Sequence, residues 1–126
     1  MLAETRRIAA ALFTLCAVGC GTEGDRSPIC TALAGQYEVA LPAARACEPG
    51  TAPCTEERPG VFRTVDGGGA QLHGCPVRVN PENTSALAEA DEILDRYTAA
   101  GCLVAALPCP AVVSRPDCGP AGVCQY

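Results

Sequence analysis

Apolar side chains recur at helical spacing in two stretches of the chain. Over Pro28 to Ala46 and on to Cys47, the residues Cys30, Leu33, Tyr37, Leu41, Ala44 and Cys47 are spaced 3, 4, 4, 3 and 3 apart, which places them on one helical face. Ser27 precedes the stripe as an N-cap, and Pro28 takes the first helical position, where a missing N–H costs nothing. Pro42 lies inside the stripe. It predicts a kink or a split near Ala40 and Leu41, because proline removes a donor and crowds the preceding turn. Glu48-Pro49-Gly50 ends the element. A second helix is predicted over Glu82 to Ala100, where Leu87, Ala90, Leu94 and Tyr97 recur at 3, 4 and 3. Asn80 before Pro81, or Thr84 and Ser85, caps its start, and Gly101 supplies a left-handed residue past its end.

The intervening pattern is weaker. Thr51 to Gly60, rich in Pro, Thr and Glu, reads as an exposed loop held at Cys54. Val61 to Val65 and Cys75 to Val79 read as short strands on either side of a turn at Asp66-Gly67-Gly68-Gly69. Leu103 to Tyr126 carries four Pro, two Gly and three further cysteines, so an irregular tail is expected. Within it Val112-Val113 faces Val123-Cys124-Gln125 as a small hairpin. The expected fold is a small disulfide-rich domain, mainly α. It has two antiparallel helices, short β-strands or a hairpin, and an irregular stapled C-terminal tail.

Ile8 to Val18 differs from both stripes in being apolar throughout. Its eleven residues follow Arg6 and Arg7, fit the core of a signal peptide, and are too few to span a bilayer. The run ends in Ala17-Val18-Gly19-Cys20, which resembles the lipobox of bacterial lipoproteins, with Ala17 where Leu is usual. Cysteine parity points the same way. Cleavage before Cys20 removes Cys16 and leaves nine cysteines; lipidation of Cys20 leaves eight, which can pair completely. The expected organisation is a signal peptide over 1–19, a tether over 20–27 and one stapled domain over 28–126. Gly21, rather than Asp, follows Cys20, which under the enterobacterial sorting rule favours the outer membrane.

Composition changes this picture in two ways. The chain has 126 residues with ten Cys, no Trp, two Phe and three Tyr, so its core is built from Leu, Val, Ile and Ala and gains much from cross-links. All nine basic residues are Arg, a bias typical of GC-rich bacterial genomes, and the formal charge of −5 excludes nucleic acid as a partner.

The eight expected disulfide cysteines are Cys30, Cys47, Cys54, Cys75, Cys102, Cys109, Cys118 and Cys124. No two stand in a Cys-x-x-Cys pair, so neither a redox motif nor a zinc site is indicated. Antiparallel helices would set Cys30 near Cys102 and Cys47 near Cys75. Cys118 would then close the tail with Cys124, leaving Cys54 with Cys109. His73 is the one histidine, and it reads as a loop or surface residue. Ser27, Ser85 and Ser114 lie outside any nucleophile motif. Glu89, Glu92 and Asp95 fall on the outer side of the second helix with Asp91 at the flank, a solvated face rather than a carboxylate pair or a calcium site. No catalytic residue, metal or cofactor is expected.

Cys30-Thr-Ala-Leu33, Tyr37, Ala44-Arg45-Ala46-Cys47, Gly74-Cys75-Pro76-Val77 with Val79-Asn80, and Ala100-Gly101-Cys102 resemble the small cysteine-rich lipoproteins of myxobacteria. The resemblance covers roughly Cys30 to Cys124. It implies a helical, disulfide-bonded envelope protein and supplies no catalytic residues. The expected function is that of a lipid-anchored envelope protein, a non-enzymatic interaction or structural module. Its expected partners are the membrane, through the anchor, and a protein of the envelope. The alternative is an exported protease inhibitor presenting Arg58 or Arg115 on a stapled loop.

Overall fold

The Ser27 hydroxyl accepts from the Cys30 amide and starts a helix with Pro28 at its first position. The computed structural model describes residues 27–64, 67–109 and 115–125. They form α1 (Pro28–Arg45), β1 (Glu56–Arg63), β2 (Ala70–Val79) and α2 (Thr84–Ala99). The strands pair antiparallel as a two-stranded sheet. α1 packs against both α2 and β2 and so lies at the centre. Four disulfides tie the frame: Cys30–Cys102, Cys47–Cys118, Cys54–Cys124 and Cys75–Cys109.

The helices run antiparallel. Cys30 at the start of α1 is bonded to Cys102 just past α2. At the other end, Asn83 before α2 donates to the carbonyls of Ala43 and Ala46. Tyr37, Leu41 and Ala44 on α1 meet Leu87, Ala90, Ile93 and Tyr97 on α2 and Leu72, Val77 and Val79 on β2 in one apolar cluster. This core is largely aliphatic. Its two aromatic side chains, Tyr37 and Tyr97, donate their hydroxyls to the Pro59 and Leu103 carbonyls.

Several expectations are corrected. Of the kink or split expected at Pro42, the split is absent; one helix continues to Arg45. Pro42 is exposed, and the last-turn carbonyls find other donors. Asn83 reaches Ala43, the Asn80 amide reaches Ala44, and the Cys124 amide reaches Arg45. The helix end is thus held by bonds from elsewhere in the fold, which offset the one that proline removes. α2 begins at Thr84, not Glu82, because Asn80 accepts from the Glu82 amide and holds residues 80–83 in a turn. Asn83 is its N-cap yet makes no side-chain cap bond; its Nδ2 instead donates to the carbonyls of Ala43 and Ala46. Its C-terminus closes as the spacing predicts: Gly101 has φ +75°, with the Cys102 and Gly101 amides bonded to the Tyr97 and Thr98 carbonyls.

The strands are longer than predicted, and "mainly α" fits the domain only in part. β1 takes in Glu56 to Gly60 of the expected loop, and β2 starts at Ala70. Two prolines hid this. Pro59 and Pro76 stand opposite each other, and the register shifts immediately afterwards, with Gly60 facing His73.

Three of the expected disulfide partners also differ; Cys30–Cys102 is present, and the others are not. The cause is the course of residues 115–125, which turn back on themselves and also run along the end of α1. Cys47 and Gly122, Cys54 and Pro116, Cys118 and Thr51, and Cys124 and Arg45 are joined by backbone hydrogen bonds. Cys118 and Cys124 face each other across an antiparallel bridge, but each sulfur crosses to a different segment. Val112 and Val113 of the expected tail hairpin lie outside the described residues; Val123 pairs with Ala46.

Candidate functional site

Two places bring chemistry-bearing side chains together. The first is the end of the domain where α1 stops. The sulfurs of Cys47, Cys54 and Cys124 lie within 4.8 Å of one another. They belong to two disulfides, so they carry no thiolate for a metal. All eight cysteines of the described residues are paired, and no free thiol remains among them.

The second is a cleft of about 320 Å³ between α1 and the hairpin, walled by Leu41, Pro42, Val61 and Val77, with Glu38, Arg45 and His73 beside them. His73 is a half-buried strand residue and not the loop residue expected. The cause is Gly60, opposite it in β1: a Cβ there would collide with the imidazole, so the glycine makes the ring's seat. The ring lies 5.7 Å from that of Phe62, and Nδ1 accepts from the Cys75 amide at 3.1 Å. That bond requires the neutral imidazole with its proton on Nε2. Burial pushes the His73 pKa down.

The charged groups of the cleft are already engaged. Glu38 accepts from Arg63, and Arg45 donates to the carbonyls of Arg78 and Cys124. No serine, threonine or thiol lines the cleft among the described residues. A base without a nucleophile or a free carboxylate does not make an acyl-transfer site.

The remaining candidates have structural duties. Arg58, offered as an inhibitory side chain, is half-buried in β1 and grips Asp91 of α2 with two bonds of 2.8 and 3.2 Å. The bond with Asp91 raises its pKa further. Asp91 at the helix flank is therefore the clasp between α2 and the hairpin, a role that charge pattern alone did not reveal. Glu89, Glu92 and Asp95 are exposed, and Glu92 pairs with Arg96 one turn on. Arg115 is exposed. Ser27 caps α1, Ser85 is exposed in the first turn of α2, and Ser114 lies outside the described residues. So does Cys20. Among the described residues no helix is long and apolar enough to cross a membrane. No family model, curated protein or solved structure matches the chain.

Two predictions arise at the cleft. Gly60→Ala is expected to cost about 1–3 kcal/mol through overpacking against the imidazole and the Cys75 carbonyl. Adding His73→Ala removes the obstacle, so the double variant should recover part of that loss. Urea unfolding of both variants and of His73→Ala alone checks the coupling. The second concerns pH. The folded state binds the His73 proton less tightly than the unfolded chain, whose pKa is 6.5. The residue is therefore neutral to stability above 6.5 and destabilising as pH falls below it. Between about pH 7 and 5, His73→Gln should lose less melting temperature than the native chain. Parallel curves would overturn this.

Proposed function

We propose that the chain is a lipid-anchored protein of the bacterial envelope, a non-enzymatic interaction or structural module held to the membrane through Cys20. The observation that carries this reading is the cysteine account. Four disulfides use all eight cysteines of the described domain, a density that belongs to an oxidising compartment. Cys20 is then the one cysteine of the expected mature chain left over, and a thioether-linked lipid is the fate that its Ala17-Val18-Gly19-Cys20 setting favours. The resemblance to small myxobacterial lipoproteins adds to it, and the outer membrane is the site proposed.

The non-enzymatic part rests on the cleft at His73, where each charged neighbour is committed to the fold. The test is Cys20→Ser. The variant is expected to move from the membrane to the soluble fraction with its four disulfides intact, while the native N-terminal peptide carries the mass of acyl chains. An unmodified Cys20, or Cys20 within a disulfide, would sink the anchor.

A further inference from the structure

The chain leaves α1 toward Cys20 at one end of the domain, and three exposed apolar side chains stand at that end. Ile29 precedes Cys30, and Leu103 and Val104 follow Cys102. The Cys30–Cys102 bond sets the two segments side by side, with Cα atoms of the bridged residues 5.6 Å apart. Ile29 is 67% exposed, Leu103 49% and Val104 47%. Leu107 (42% exposed) lies further along residues 103–109, which run parallel to β2 and away from that end, the Ala105 amide bonding to the Leu72 carbonyl. Ile29, Leu103 and Val104 are half of the six large apolar side chains exposed among the described residues; Val39, Leu107 and Val123 lie elsewhere.

We propose that this end of the domain rests on the bilayer, with Ile29, Leu103 and Val104 inserted at the level of the headgroups. The inference builds on the lipid anchor proposed above. Three observations favour a lipid surface over a protein partner. The tether is short: the seven residues after Cys20 that end at Ser27 span at most about 25 Å even fully extended, so a lipid on Cys20 keeps this end of the domain facing the membrane. The patch is separate from the cleft at His73 and from the groove between the helices, whose linings hold none of its three side chains. Two backbone groups beneath it are already paired: the Leu103 carbonyl accepts from Tyr97, and the Ala105 amide donates to Leu72, so neither is stranded when the side chains enter an apolar phase. Apolar burial of this kind adds to the hold of acyl chains and fixes the domain's orientation.

The absence of tryptophan gives the test its probe. Leu103→Trp and Val39→Trp each introduce a single indole, the second ten residues along α1 from Ile29, about 15 Å from the patch end (Val39 is 80% exposed). Each full-length protein, processed in its host and purified in detergent, is reconstituted into phosphatidylethanolamine and phosphatidylglycerol vesicles. Parallel vesicles carry bromines near the top of the acyl chains. Leu103→Trp is expected to shift to the blue and lose most of its emission in brominated vesicles, with Val39→Trp unquenched. Vesicle-bound protein with acylated Cys20 but no quenching at position 103 overturns the docking proposal and leaves the anchor standing. Equal quenching at both positions overturns it too, by removing the orientation. A blue shift that is insensitive to bromine marks contact with a second copy and also overturns it. Protein in the supernatant with unmodified Cys20 overturns the anchor reading and the docking with it.

Discussion

Replacing Cys30 and Cys102 together by alanine is expected to lower the unfolding free energy by about 4 kcal/mol, the loss that chain-entropy arguments assign to opening a loop of this size. The bond joins residues 72 apart. It links the start of the central helix to the end of its partner, and Cys30 is itself buried at 3% exposure. The comparison that gives this figure meaning is Cys75→Ala with Cys109→Ala. That pair closes a span of 34 residues, and Cys109 is exposed. Loop length alone separates the two by under about 1 kcal/mol, because closure entropy grows only with the logarithm of the span. The buried methylene and sulfur of Cys30 should widen the gap. Urea unfolding under non-reducing conditions, with the other three bridges verified by mass, provides the measurement. A smaller loss at Cys30–Cys102 than at Cys75–Cys109 would mean that this bridge does not govern the core. Small domains have only about 5–15 kcal/mol in total, so either loss should be plain in the transition midpoint.

The Cys30–Cys102 bond was also the one pairing legible in the sequence. It follows from two apolar stripes of helical period whose ends must match if the helices pack antiparallel, and periodicity depends on little beyond a helix's own residues. Two of the other three bonds depend on where residues 115–125 go, and the third on the segment that brings Cys109 alongside β2. Residues 115–125 are proline-rich and mostly exposed, and their course is set by backbone bonds to Arg45, Cys47, Thr51 and Cys54, partners remote in sequence. No local pattern announces such bonds. The strands were hidden for a related reason. Pro59, Gly60 and Pro76 are each poor strand residues alone. In the fold the prolines face each other at a register shift, and Gly60 makes room for His73. Asn80 reads as a cap because such residues so often are, and Asn83 is not singled out. Their side chains instead tie the turn before α2 to the carbonyls at the end of α1, and no sequence signal distinguishes the two uses. At the cleft, the sequence identified His73 as the one candidate base. What it lacked was the set of neighbours that leaves the imidazole without a nucleophile.

Tyr37→Ala is the second large effect expected, a loss of about 3–5 kcal/mol for a large aromatic side chain removed from a packed core. Tyr37 has no solvent exposure and sits on the helix that touches both the other helix and the sheet. Its hydroxyl adds a separate contribution that Tyr37→Phe isolates. Pro59 and Pro76 oppose each other in the hairpin, and neither has an N–H to give, so the ladder lacks donors there. The Tyr37 hydroxyl donates to the Pro59 carbonyl at 2.7 Å from across the core. Burial pushes its pKa far above the ordinary phenol value, so it remains a donor throughout the accessible pH range. Tyr37→Phe should therefore cost about 1–3 kcal/mol, the range for stranding a buried acceptor. The difference between the two variants measures the ring itself. If Tyr37→Phe were neutral, water or a strand amide would have to reach the Pro59 carbonyl, and the proline pair would not need the helix to complete it. If it costs as predicted, the central helix holds the hairpin at its weakest rung.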